Sequence, residues 1–246
     1  MSLVAFISDI HANLDALEAV LADIEEQRAD TIICLGDVVG YGPEPAQCLR
    51  LIRQKCWAIV MGNHEAMMIQ MDVKALGHMH PIVGKPLLLA HEQLTPAEIS
   101  AVGALPLVTE YDPVVGVHAS LVDPGRFAYV HAEGDAQEHF TFQSWHICFH
   151  GHTHVPVIWE QWGSRVFCYA QTERAVRFFP GHKYAVNVGS VGQPRDGNPL
   201  ACYALYDTEE HLLRHRRVVY DIKKAQGRFR KARLPDDSRL RIEVGF

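Results

Sequence analysis

The sequence predicts an α/β domain with two packed sheets, on three observations. Residues 1–61 alternate short apolar runs with amphipathic stretches, the order expected of parallel strands covered by helices. From residue 145 onward, apolar runs follow one another too closely for helices between them, as in an antiparallel sheet. No linker, internal repeat or low-complexity tract divides the 246 residues, a length that one α/β domain fills.

Leu3–Ile7 is the first expected strand. Leu14, Leu17, Val20, Leu21 and Ile24 then recur at helical spacing, with Asn13 placed to cap that helix. Thr31–Leu35 reads as the second strand and Glu44–Gln54 as the next helix, with Pro43 and Pro45 near its start. Cys56–Met61 is the third strand. Residues 66–105 break the alternation with a Met-rich stretch, then Pro81, Gly84 and Pro86, and a helix starting near Thr95-Pro96. They are expected to form a helical insertion lying over the strand ends. Val114–Val117 is another short apolar run. The later strands are expected at Trp145–Phe149, Val155–Glu160, Val166–Ala170, Ala175–Phe178, Tyr184–Val188, Ala201–Asp207 and His211–Tyr220, in a largely antiparallel sheet. Residues 221–246 read as a basic C-terminal helix or tail of the single domain 1–246.

With 48% hydrophobic and 21% charged residues, the composition is that of an ordinary soluble globular protein. No apolar stretch approaches the roughly 18 residues of a membrane span. Asp9 and His11 interrupt the first apolar run and no basic segment precedes it, which argues against a signal peptide. The six cysteines are scattered with no CxxC pair, so they read as small buried hydrophobes in a reducing cytoplasm. Residues 1–213 hold 12 Lys and Arg against 25 Asp and Glu, a net −13, whereas residues 214–246 hold 11 against 4, a net +7. A basic tail is one route to nucleic acid. The plainer reading, a solvated face offsetting an acidic body, is preferred because a body of −13 repels polyanions.

Five clusters follow the apolar runs: Asp9-Ile10-His11, Gly36-Asp37, Gly62-Asn63-His64-Glu65, His118 and Gly151-His152-Thr153-His154. They supply carboxylate, amide and imidazole groups, the ligands that first-row divalent metals accept. In open α/β sheets, loops at the carboxyl ends of strands converge on one point, so chelators far apart in sequence can meet there. Asp9 and His11 are placed to reach one ion together. Asn63 offers a neutral carbonyl, or else caps a helix. His152 and His154 sit two apart, on one side of an extended segment. Taken singly, each has a bland alternative: a solvated loop for Asp-x-His, structural histidines for the others. Arg195 suits a phosphate contact through its bidentate fork, with a surface turn at Pro-Arg-Asp-Gly as the alternative. His150 is expected to be structural, and His78, His80 and His91 to be largely solvated.

In this order the clusters closely resemble the calcineurin-like metallophosphoesterases. Gly36-Asp37-Val38-Val39-Gly40-Tyr41-Gly42-Pro43 and Asn187-Val188-Gly189-Ser190-Val191-Gly192-Gln193-Pro194-Arg195 resemble the bacterial single-domain phosphodiesterase branch. One departure is His118-Ala119, where that family usually has His-Gly. The resemblance implies an α-β-β-α sandwich of two mixed sheets and two divalent ions. Manganese is the first expectation, with iron, zinc, cobalt or nickel also accepted by these ligands. It further implies that Asp9, His11, Asp37 and His154 hold one ion, and Asp37, Asn63, His118 and His152 the other. The implied reaction is hydrolysis of phosphodiesters by a hydroxide shared between the ions. Asn63 and His64 then stabilise the growing charge, or His64 protonates the leaving group. Phosphomonoester or dinucleoside-polyphosphate hydrolysis, and a non-catalytic protein-binding scaffold, are the alternatives. Scaffold relatives typically lose the catalytic histidine or ligands, and this chain keeps them.

Overall fold

In the computed structural model, which describes residues 3–170 and 174–246, two mixed sheets pack face to face between layers of helix. The chain begins β1 (Leu3–Ile7), α1 (Leu14–Glu26), β2 (Thr31–Cys34), α2 (Pro45–Lys55), β3 (Ala58–Ile59). Asn13 caps α1 by accepting from the Ala16 amide, and Pro45 opens α2, where a missing N–H costs nothing. Four helices follow: α3 (Asn63–Gln70), α4 (Val73–His78), α5 (Pro81–Gln93) and α6 (Pro96–Gly103). Next come β4 (Val108–Tyr111), β5 (Val114–Val117), α7 (Glu133–Phe142) and β6 (Ile147–His150). The remaining strands are β7 (Val157–Trp162), β8 (Arg165–Ala170), β9 (Val176–Arg177), β10 (Lys183–Asn187), β11 (Ala201–Asp207) and β12 (Leu212–Val218). The chain closes with α8 (Ile222–Lys231) and α9 (Asp236–Val244).

Among the described residues the first sheet runs β3-β2-β1-β11-β12-β9 and the second β4-β5-β6-β10-β7-β8. The period of two along β1 divides its side chains between two cores. Val4 and Phe6 face the second sheet, where Phe6 stacks on Phe149 at 3.8 Å between centroids. Ala5 and Ile7 face the helices, packed with Leu17, Val20 and Leu49. On the far side of the second sheet, Ala136 and Phe140 of α7 bury against Trp159 and Ala185. The layers are therefore helix, sheet, sheet, helix.

One expectation needs correction. The strands after residue 145 do not form one antiparallel sheet. β6, β7, β8 and β10 join the second sheet while β9, β11 and β12 join the first, and β6 is parallel to both β5 and β10. The helix α7, unnoticed in the sequence, covers the second sheet along the chain between β5 and β6. The insertion is helical, and its helices are anchored in the core. Leu76, Leu87, Ala90, Leu94 and Val102 are buried in the same core as Leu17 and Leu49, so α4–α6 extend the outer helical layer beside α2 and α3.

The basic tail turns back on the acidic body. Lys224 and Arg228 of α8 reach the buried carboxylate of Asp15 at 2.6 and 2.8 Å, and Arg228 also reaches Glu44 at 3.2 Å. Among the described residues, no helix is long and apolar enough to cross a membrane.

Candidate metal centre

Six loops deliver the polar groups, each leaving the carboxyl end of a strand: Asp9 and His11 after β1, Asp37 after β2, Asn63 and His64 after β3, His118 after β5, His152 and His154 after β6, Arg195 after β10. Both sheets contribute. Ligand atoms of Asp9, His11 and His154 lie within 4.8 Å of one another, as do those of Asp37, His118 and His152, and those of His11, Asp37 and His64. Asp37 belongs to two of these groups. Asn63 Oδ1 lies 3.0 Å from His118 Nε2, which places the amide beside the second group.

The backbone is bent to achieve this. Asp9, His11, Asp37, His152 and His154 all adopt positive φ, between 47° and 68°, a region that non-glycine residues occupy at a cost. His152 and His154 are therefore not on an extended segment as their spacing suggested. The turn at Gly151–His154 sends His154 toward Asp9 and His11, and His152 toward Asp37 and His118. Ala119 has no positive φ, so the turn after His118 does without glycine. Gly62 is held by close approach instead: a Cβ there would stand 2.1 Å from Asp37 Oδ1.

Hydrogen bonds behind the ligands set their direction. His11, His118 and His154 each point Nδ1 at a backbone carbonyl, of Val39 at 3.2 Å, Leu35 at 2.7 Å and Gln193 at 2.6 Å. A carbonyl only accepts, so Nδ1 carries the hydrogen and Nε2 presents its lone pair to the centre. Asp9 and Asp37 each take one backbone amide, from His152 at 3.0 Å and His64 at 2.9 Å, leaving one oxygen inward. Glu65 ties the loops together by accepting from the amides of Asp37, Val39 and Gly62. Its sequence position in the Gly-Asn-His-Glu cluster was visible, but its role was not. The N-cap of α3 is Gly62, with Asn63 as the first helical residue.

These donors fit cations. His11 Nε2 and His154 Nε2 face each other at 3.1 Å, two lone pairs that repel unless a positive ion lies between them. Ligand atoms about 2.0–2.2 Å from a shared ion stand roughly 3 Å apart, as here. Asp9 Oδ1 is buried with no hydrogen-bond donor and lies 3.3 Å from His154 Nε2. The electrostatics tell the same story. Burial pushes the Asp9 carboxyl up to about 7. Burial also opposes charge on Asp37, but His118, His64 and His11 outweigh it and hold the carboxyl well below the ordinary range. His118 is pushed up to about 9 because Asp37 and Asp9 together overcome its burial. Such opposed shifts within one cluster mark charge that the protein alone does not balance.

His64 stands apart. Its Nε2 is 4.0 Å from Asp37 Oδ2, and no carbonyl fixes its buried Nδ1. The backbone of Gly40 lies flat against the ring, where a Cβ would be 2.1 Å from Nδ1. Burial holds His64 below the usual histidine range, so it is neutral near pH 7. Arg195 lies beside the centre, its Cζ 5.6 Å from the centroid of Tyr41, with Nη2 donating to Gln193 Oε1 at 3.1 Å. The Tyr41 ring in turn meets His11 and His64 at 4.6 Å each. Tyr129, half exposed, stacks on His152 at 4.1 Å. Tyr41 belongs to the Gly36–Pro43 motif quoted for the resemblance, whereas Tyr129 was not singled out in the sequence, since an aromatic in a loop carries no signal of its own. His150 is buried against Asn187 at 3.3 Å and takes no part. His78 and His80 are exposed, and His91 donates to the Met68 carbonyl, so none of the three reaches the cluster.

Residues 1–211 match the calcineurin-like phosphoesterase superfamily domain. An uncharacterized protein of Methanocaldococcus jannaschii is 34% identical over 99% of this chain and 98% of its own. A metallophosphoesterase from Sphaerobacter thermophilus has a crystal structure that superposes with a TM-score of 0.87 at 32% identity, covering 99% of this chain and all of that one. A hypothetical protein of Pyrococcus horikoshii shares the fold at a TM-score of 0.80 and 19% identity, over all of this chain and 99% of its own. With residues 1–211 matched and the polar loops of both sheets gathered at one point, the chain belongs to the calcineurin-like phosphoesterase superfamily and is a phosphoester hydrolase.

Proposed function

We propose that the protein is a phosphodiesterase working with two divalent cations, manganese first among them. Asp9, His11, Asp37 and His154 would hold one cation, and Asp37, Asn63, His118 and His152 the other. The observation that supports this most is the pair of opposed Nε2 atoms of His11 and His154, beside an orphaned Asp9 oxygen, all buried. Two cations there supply Lewis acidity and a water that ionises near neutral pH. The chain's own groups orient and neutralise the ester. Arg195 offers its fork to a non-bridging phosphoryl oxygen. His64, neutral and buried beside Asp37, donates an N–H to an oxygen on which charge grows in the transition state. Its imidazole is set by the Gly40 backbone, so little reorganisation precedes that contact. The six unpaired cysteines, four of them buried, suit a reducing cytoplasm.

The test is the initial rate of the manganese-loaded protein on bis(p-nitrophenyl) phosphate and on p-nitrophenyl phosphate. Faster turnover of the diester is expected. A preference for the monoester reassigns the site to a phosphatase, and no turnover of either overturns the catalytic reading.

A further inference from the structure

We propose that Tyr129, with Phe127 beside it, is an aromatic platform that stacks the nucleobase of the substrate, so that the diester cleaved is one of a nucleoside. This rests on the phosphodiesterase reading and names the substrate class. Both side chains come from the loop between β5 and α7, and both lie against histidines proposed for the second cation. The Tyr129 ring stacks on His152 at 4.1 Å between centroids, with 26° between the planes. Phe127 meets His118 edge-on, at 6.0 Å and 71°.

The loop is built to hold them there. Val130, next to Tyr129, is buried with Ala136 and Phe140 of α7 against the second sheet, so Tyr129 is not exposed for want of an anchor. Phe127 takes a φ of 52°, a left-handed backbone state that a bulky residue adopts at a cost. Strain of that kind persists only where the surroundings fix it, and it gathers at sites that clamp a ligand. Yet Tyr129 is 53% exposed. Among the described residues it is the one exposed aromatic ring that stacks on a proposed ligand. His152 takes one face and leaves the other open. An apolar face kept in water forgoes the free energy of burial unless something else covers it.

What covers it follows from its neighbours. Burial pushes the Tyr129 hydroxyl above the ordinary tyrosine value, and the charge of Arg195 pulls it back, with Tyr41, Asp37 and Asp9 also acting on it. The ring therefore stands beside the groups proposed to hold the phosphoryl oxygens, and a group stacked on it is one attached to that phosphate. A nucleoside carries its base one sugar away from phosphorus, and Tyr129 stands one imidazole away from the cation that His152 would hold. Every base presents a π face to an aromatic ring whatever its hydrogen-bonding edge, so the platform favours a base without choosing which.

The experiment titrates manganese-loaded protein by calorimetry with adenosine 5′-monophosphate and with ribose 5-phosphate, two ligands of like charge that differ by the base. Wild type is expected to bind the nucleotide about tenfold more tightly, the scale of one base stacked on an aromatic side chain. Tyr129→Leu is expected to bring that ratio to about one, and Tyr129→Phe to keep it. No preference in wild type, an unchanged ratio in Tyr129→Leu, or an equal loss in Tyr129→Phe overturns the platform. Bound manganese is counted in each variant. Loss of metal in Tyr129→Leu that weakens both ligands alike also overturns it, and leaves Tyr129 as a cover for His152. Wild-type turnover of the aryl diester is measured alongside. Turnover without a base preference removes the platform and keeps the phosphodiesterase, while a Tyr129-dependent base preference without turnover does the reverse.

Discussion

His64 is the residue on which the proposed chemistry turns, because proximity alone does not separate it from the ligands. It shares a group with His11 and Asp37, yet its Nδ1 lacks the carbonyl that aims each of His11, His118 and His154. A residue aimed at substrate and not at a cation has a distinct signature. His64→Ala is expected to lower kcat by about 10²–10³-fold, as for loss of one preorganised hydrogen-bond donor. Bound metal, counted by elemental analysis, is expected to stay at the wild-type level, and its loss would make His64 a ligand. The clustering of these carboxylates and imidazoles was legible in the sequence because each follows an apolar run and has metal-binding chemistry whatever its surroundings. Tyr129 was not, since a tyrosine acquires meaning only from what the fold sets beside it. The left-handed turns at His152 and His154 escaped notice for a related reason: in a Gly-His-Thr-His segment nothing local dictates positive φ, and convergence on Asp9 and Asp37 imposes it.

Among the elements, those with local signals were read nearly to the residue. The apolar runs Leu3–Ile7 and Ala201–Asp207 are β1 and β11, and Asn13 caps α1. β4 and α7 were missed, because Val108–Tyr111 is only half-buried at a sheet edge and α7 carries little amphipathic contrast. The partition of late strands between two sheets was hidden for a physical reason: a strand's period of two shows which residues face a core, and does not show which sheet completes it. The helical insertion illustrates how position alters function. Leu87 of α5 is fully buried in the core shared by α1 and α2. Leu87→Ala is therefore expected to destabilise the protein by about 2–5 kcal/mol in urea unfolding. KM for the aryl diester at 25 °C is expected to stay within about twofold of wild type, the scale of surface perturbation. A large rise in KM with unchanged stability would show α5 acting as a cover over the site instead.

For the whole molecule, the candidate metal centre lies where its two sheets meet. β1, β2 and β3 bring Asp9, His11, Asp37 and Asn63 from one side, and β5 and β6 bring His118, His152 and His154 from the other. Cations held by both sets would bind the folded chain and not the unfolded one, and so would add stability by mass action, about 4 kcal/mol at a thousandfold excess over Kd. Without them the cluster balances itself with protons, and the sign of the resulting pH dependence follows. His118 is pushed up to about 9 in the fold, above the roughly 6.5 of an unfolded histidine. Between those values the folded chain holds a proton that the unfolded chain has lost. That contribution is complete below pH 6.5 and disappears as pH rises toward 9. Asp9, pushed up to about 7, adds in the same sense at the lower end of the window. Cations reverse this dependence, because rising pH removes their competitors from the ligands. The Tm of chelator-stripped protein is expected to fall between pH 6.5 and 9, and that of manganese-loaded protein to hold steady, so that the gap between them widens. Parallel Tm curves across that range would mean that His118 and Asp9 do not share their charge with a cation, and the bridge between the sheets would have to be sought in packing alone.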